Sequence, residues 1–256
     1  MPDLSVSGIP GGVLAPVEDS YLRTFLYVSL QRLKTIRVLQ VQCTEGLWLQ
    51  KQLETFALNG RLEFYGLEEN PEFAGALKKR LPKIPVFHEQ FLKFGFPQNY
   101  FHFIYWDGTR KICGETLELL KKARHHLHPK GCFLIRYAIP RESSTWPLYQ
   151  IQPDLLEWDD SQSMKLRDVW KLTQAAGFSR CVTDLKKAEL QRVSLSRLGL
   201  EICSDQDGMP EELLLSLRKQ FEAGLEGGEV FPDSSKTAAE IGMGEVYCLG
   251  DSYLEG

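Results

Sequence analysis

RVLQVQCTEG, Arg37 to Gly46, is a short apolar strand that runs into a turn closed by glycine. A strand, a glycine turn and a helix in that order mark the first unit of an alternating α/β sheet. The next segment supplies the helix: Leu47–Leu58 is followed by Asn59-Gly60, a natural helix stop.

The alternation continues from there. Leu62–Leu67 reads as a strand. Pro71–Arg80 reads as a helix, with proline at its first position, where its missing N–H costs nothing. Val86–Phe87 and Phe101–Trp106 read as strands, Thr116–His126 as a helix and Cys132–Tyr137 as a strand. Met164–Ala176 is a helix ended by Gly177, Ser179–Asp184 a strand, Glu211–Leu225 a helix and Gly244–Leu249 a last strand. Upstream, Glu18–Leu33 forms a helix whose apolar stripe is Leu22, Phe25, Leu26, Leu30 and Leu33. Strands alternating with helices predict a parallel sheet, doubly wound, with helices on both faces. Such a sheet binds its ligand at the carboxyl ends of the strands, where the strand order reverses.

Composition agrees with one sizeable core. The chain has 256 residues, 43% hydrophobic and 25% charged, with a net charge of -4. That balance argues against a general nucleic-acid surface. The apolar runs fall short of the ~18–20 residues of a membrane span. The N-terminus, MPDLSVSGIPGG, lacks the pattern of a secretory signal. The six cysteines (Cys43, Cys113, Cys132, Cys181, Cys203 and Cys248) are scattered with no CxxC pair. This points to a reducing cytoplasm and away from a disulfide framework, with Cys132 and Cys248 as small core residues.

Two regions break the rhythm. Arg141 to Ser163 holds Trp146, Tyr149 and Trp158, and Lys186 to Asp207 precedes the last two elements and reads as helical. Both are read either as a lid over the carboxyl edge or as packed surface excursions.

Five phrases in this order resemble the class I S-adenosylmethionine-dependent methyltransferases, most closely the small-molecule, ubiquinone/menaquinone type. They are RVLQVQCTEG, FYGLEENPE, FPQNYFHFIYW, LKKARHHLHPKGCFLIRY and LRDVWKLTQAAGFSRCV. The resemblance covers roughly residues 37–178. It implies an arm and helix over 1–36 and a methyltransferase-like domain over 37–256, built on seven strands with the last antiparallel.

The resemblance also implies a site. Glu68 falls on the acid that binds the ribose hydroxyls, and Gly46 on the last glycine of the cofactor loop, where a helix N-terminus favours the methionine carboxylate. Gln90 falls where an acid usually bonds the adenine amino group, with Phe91 beside it for the ring. The loop departs from the pattern at three positions: Gln40 replaces the acid, and Gln42 and Thr44 replace glycines. Thr is β-branched and poor at positive φ. Loss of the charge at position 40 removes a charge-assisted hydrogen bond, about 1.5–3 kcal/mol. Glu45 offers an anion further along the loop, and His102 replaces the usual aspartate before the fourth strand.

Methyl transfer is an in-line displacement that needs alignment and, for some acceptors, a base. Asp107 is the candidate base by position; the alternative is a turn residue in Trp-Asp-Gly-Thr. Tyr105, Trp106 and Tyr137 shape the pocket, Trp106 on the cofactor and Tyr137 on the acceptor. The run His125-His126-Leu127-His128 sits at a helix C-terminus, where histidines favour the dipole, and no metal site is expected. Two functions remain open at this point. One is a methyltransferase using S-adenosylmethionine on a small organic acceptor. The other is a protein of the same fold that has lost methylation and serves as a binding or assembly subunit, with a protein partner, or runs another reaction.

Overall fold

The structure, a computed structural model, describes residues 25, 29, 32–43, 46–56, 60–107, 116–143, 149, 152–163, 165–189, 210–216, 219 and 240–251. In chain order the elements are β1 (Ile36–Val41), α1 (Leu47–Phe56), β2 (Leu62–Glu68), α2 (Pro71–Arg80), β3 (Val86–His88), β4 (Phe101–Asp107), α3 (Thr116–His126) and β5 (Leu127–Ala138). A 3-10 turn (Pro140–Ser143) follows, then α4 (Pro153–Gln162), α5 (Leu166–Ala175), β6 (Arg180–Glu189) and β7 (Glu240–Leu249).

The strands form one seven-stranded sheet in the order β3-β2-β1-β4-β5-β7-β6. β1 pairs in parallel with both β2 and β4, and β7 runs antiparallel between β5 and β6. The chain leaves β1 on one side, through β2 to β3, then returns to β4 on the other. The order therefore reverses between β1 and β4.

Alternation along β1 divides the core. Ile36 and Val38 face Phe25, Trp48, Leu49 and Leu77, while Leu39 and Val41 face Leu120, Ala123, Val169 and Phe178. Each such aliphatic side chain, fully buried, contributes about 1.5–3 kcal/mol of transfer free energy. The helix ends follow local chemistry. Asn70 Oδ1 accepts from the N–H groups of Glu72 and Phe73, and Pro71 opens α2. Gly177, at φ +92°, closes α5 while Phe178 N donates to Thr173 O.

Four segments differ from expectation. β5 begins at Leu127, not Cys132: Phe101 pairs with Leu127 but Phe103 with Cys132, so Pro129-Lys130-Gly131 bulges inside the strand. Gly131 is required there, since a Cβ would lie 2.8 Å from the His102 carbonyl. β6 continues through Lys186–Glu189, where a helix was expected, because β7 starts early at Glu240 and offers backbone partners in register. β6 is an edge strand, with Val182 and Leu185 exposed. The connection 141–163 holds a helix of its own, α4, opened by Pro153. Trp146, residues 190–207 and residues 220–225 of the expected helix lie outside the described residues.

α4 buries an acid. Asp159 is 1% exposed, and its Oδ2 accepts from the Tyr149 hydroxyl at 2.6 Å. The adjacent cations serve other carboxylates: Arg141 binds Glu157 and Asp160, and Lys165 binds Asp160. Burial pushes the Asp159 carboxyl up to about 8, against the pull of Tyr149's hydrogen bond. The folded state thus holds this proton more tightly than the unfolded chain, where the group titrates near 3.9. Its stabilising contribution is complete below about pH 4 and declines as pH rises toward 8. Asp159→Asn is expected to flatten that decline in urea midpoints measured across the interval. An unchanged slope would contradict a neutral Asp159.

Candidate cofactor and active site

The reversal point places the ends of β1 and β4 side by side, and the turn after β1 opens there. Its backbone is left-handed at both ends: φ is +55° at Gln42 and +73° at Gly46. Cys43 anchors the middle, its N–H donating to Leu67 O at 3.3 Å and its thiol to Gln40 O at 3.2 Å. Gly46 N donates to Cys43 O, and Gly46 O accepts from Gln50 N, which starts α1. A Cβ at Gly46 would fall 2.0 Å from Leu77 Cδ1, so the α2 packing, as well as the backbone angle, demands glycine. Thr44 and Glu45 lie outside the described residues.

Gln42 occupies a position that sequence reasoning marks for glycine, and the structure shows what its side chain does. Trp106 Nε1, from the end of β4, donates to Gln42 Oε1 at 2.8 Å. The side chain is drawn across to β4, tying the two strand ends together. Gln40, by contrast, is buried at 3% exposure, and its Oε1 has no hydrogen-bond partner among the described residues.

Glu68 ends β2 fully buried, with Oε1 accepting from Asn70 N at 3.0 Å. One carboxylate thereby steadies the residue that caps α2. Its charge adds to burial in pushing the Cys43 thiol up. Gln90 is exposed, while its carbonyl accepts from Lys93 N and Phe94 N and so turns the chain. Phe91 is buried in the core, its ring 6.4 Å from His126. Asp107 closes β4 in register with Arg136; only its backbone is described. Tyr137, near the end of β5, is buried with its hydroxyl unpartnered among the described residues, and burial pushes that phenol up to about 12. Gly244 on β7 makes room for it, since a Cβ there would lie 2.4 Å from Tyr137 Cζ.

Sequence reasoning missed a charged pair inside the sheet. Arg136 donates from Nε at 2.9 Å and Nη2 at 2.7 Å to Glu245 Oε1, and from Nη1 to the Tyr105 hydroxyl at 3.0 Å. Tyr247 donates to Glu245 as well. Trp48 of α1 stacks on Tyr105 at 4.3 Å. Both charges are buried, so losing one partner would cost about 3–5 kcal/mol. The signal was available: Arg136 and Glu245 are the single charges, of opposite sign, in the apolar runs Cys132–Tyr137 and Gly244–Leu249. At the opposite edge, His102 Nδ1 accepts from Arg37 N at 3.1 Å and its ring stacks on His128 at 4.6 Å. Burial first, then the neighbouring charges, push His102 down to about 4, which keeps it a neutral acceptor.

Solved structures share this fold. A SAM-dependent methyltransferase from Archaeoglobus fulgidus superposes with a TM-score of 0.52 at 12% identity, over 90% of this chain and 93% of that one. The chain has the class I methyltransferase fold. The plantazolicin methyltransferase BpumL, solved with SAH, matches at a TM-score of 0.53 and 13% identity, over 90% of this chain and 83% of its own. Phosphoethanolamine N-methyltransferase 2 of Haemonchus contortus, solved with phosphomonomethylethanolamine and S-adenosylhomocysteine, matches at 0.52 and 12% identity; this chain covers 90% of itself and 53% of that protein. No family model matches the chain, and no curated protein does. Within the methyltransferase fold, the carboxyl ends of β1, β2 and β4 bring together Gln40, Gln42, Gly46, Glu68, Trp106 and the backbone of Asp107. No described helix is long and apolar enough to cross a membrane.

The Gln42 backbone and its bond act in opposite senses. A left-handed non-glycine residue costs about 1–2 kcal/mol, and a hydrogen bond of this kind contributes about 0.5–1.5 kcal/mol. Gln42→Ala keeps the strain and loses the bond; Gln42→Gly loses both. In urea unfolding, Gln42→Gly is expected to be more stable than Gln42→Ala by about 1 kcal/mol. Equal losses would contradict the backbone assignment.

Proposed function

We propose that the protein is a methyltransferase that uses S-adenosylmethionine on a small organic acceptor. The carrying observation is the Gln40 Oε1 atom, a buried acceptor without a partner among the described residues, at the end of β1 beside the reversal point. An acceptor there suits a donor from the ligand, and the cofactor's ammonium group is such a donor. Buried acceptors without partners are costly, by about 1–3 kcal/mol, and a bound ammonium would remove that cost.

In this reading Glu68 accepts from the ribose hydroxyls and the exposed Gln90 side chain meets the adenine amino group. The N-terminus of α1, behind Gly46, favours the methionine carboxylate. Gln42 and Trp106 form the wall between the ends of β1 and β4, and Thr44 belongs to the same loop. Bound there, the cofactor supplies an electrophilic methyl on a sulfonium. The chain's residues orient the acceptor and remove its proton where the acceptor carries one. In this reading Asp107, at the end of β4, takes that proton, and the Tyr137 hydroxyl, without a partner among the described residues, orients the acceptor. On the same reading α4, Pro153–Gln162, belongs to a lid over this edge. The free cysteines suit a cytoplasmic setting.

Calorimetric titration with S-adenosylmethionine and S-adenosylhomocysteine tests the reading. Micromolar binding is expected, weakened about tenfold or more in Glu68→Gln, a substitution that keeps volume and removes charge. A folded wild-type sample that binds neither ligand up to millimolar concentration would overturn it.

A further inference from the structure

Two cysteines that lie 67 residues apart in the chain face each other across the β6–β7 ladder. Cys181 and Cys248 are direct partners in the antiparallel register, and their sulfurs stand 3.3 Å apart. Opposed residues in an antiparallel pair have Cα atoms about 4.5–5.5 Å apart, inside the range of about 4.4–6.8 Å that a disulfide spans. The sulfurs need only close to about 2.05 Å, which side-chain rotation accomplishes with the strands in place.

The two thiols differ in setting. Cys181 is half-buried on the edge strand, open to a small oxidant, whereas Cys248 is fully buried on the inner strand. The bond from Cys248 pulls the Cys181 thiol down to about 7, with a smaller pull from Thr173, while burial pushes Cys248 up. One thiol is thus half-buried and the more readily ionised, and the other is fully buried and held against it. An attacking thiolate and a resolving thiol have these properties.

We propose that Cys181 and Cys248 are a reversible oxidation site that closes to a disulfide under peroxide. The Cys181 thiolate attacks one oxygen of hydrogen peroxide, the O–O bond breaks, and Cys181 becomes a sulfenic acid with release of water after protonation. The Cys248 sulfur then attacks the Cys181 sulfur, the S–O bond breaks, and a second water leaves with the Cys248 proton. Overall, two thiols are oxidised by two electrons and one peroxide is reduced to two waters. The bond would clamp β6 to β7, the strand that carries Glu245 and Gly244 to the buried pair and to Tyr137.

The test uses the full chain, reduced, freed of reductant and exposed to hydrogen peroxide, followed by alkylation and peptide mapping without reduction. The expected result is a Cys181–Cys248 linked peptide as the main disulfide, reversed by dithiothreitol. In Cys248→Ser, Cys181 is expected to accumulate as a dimedone-reactive sulfenic acid. Free, alkylated Cys181 and Cys248 after other cysteines have oxidised would overturn the proposal. So would either one linked instead to Cys113 or Cys203. Neither outcome depends on whether the protein binds a methyl donor.

Discussion

The left-handed turn between β1 and α1 is the constraint on which the rest depends. With φ positive at Gln42 and at Gly46, the chain turns sharply off the central strand, and α1 begins at the carboxyl edge of the sheet. The turn is held from three sides. Leu67 of β2 accepts from Cys43, Leu77 of α2 fills the space a Gly46 side chain would need, and Trp106 of β4 donates to Gln42. Each contact comes from a different element, so the turn and its neighbours fix one another. The end of β1, the end of β2 and the end of β4 meet there as a consequence.

The polar interior follows a related logic. Arg136 and Glu245 lie on β5 and β7, and each charge would be prohibitive without the other. Tyr105 and Tyr247 satisfy further valences, so the charges form a connected group behind the carboxyl edge. By contrast, Gln40 Oε1 and the Tyr137 hydroxyl, on the strands either side of β4, are buried without partners among the described residues. Natural interiors rarely leave such atoms unpaired, and both residues sit toward the carboxyl ends of their strands, the edge at which a doubly wound sheet receives its ligand.

The order of elements was legible because it rests on local signals. α2 and α3 match their expected bounds, Pro71–Arg80 and Thr116–His126, since capping and periodicity are read from adjacent residues. Gly177 marks the end of α5 for the same reason. What escaped was set at a distance. β6 and β7 lengthen because each supplies the other's hydrogen bonds, which neither segment reveals alone. β5 starts early because its bulge answers to β4. At the site, Glu68, Gln40 and Trp106 fall at the strand ends where they were expected. The Gln42 bond to Trp106 spans 64 residues and depends on a backbone angle that glutamine rarely adopts. Phe91 packs in the core on the α3 face, a contact that its place beside Gln90 does not announce.

In the proposed function a nucleoside ligand sits at the ends of β1, β2 and β4. Hydrogen–deuterium exchange with and without saturating S-adenosylhomocysteine tests it most directly. Added protection is expected to concentrate at Gln40–Gly46, Glu68–Asn70 and Glu89–Phe91, with the amino edge around His102 and His128 unchanged. Protection absent from those segments, or gathered at another edge of the sheet, would contradict it.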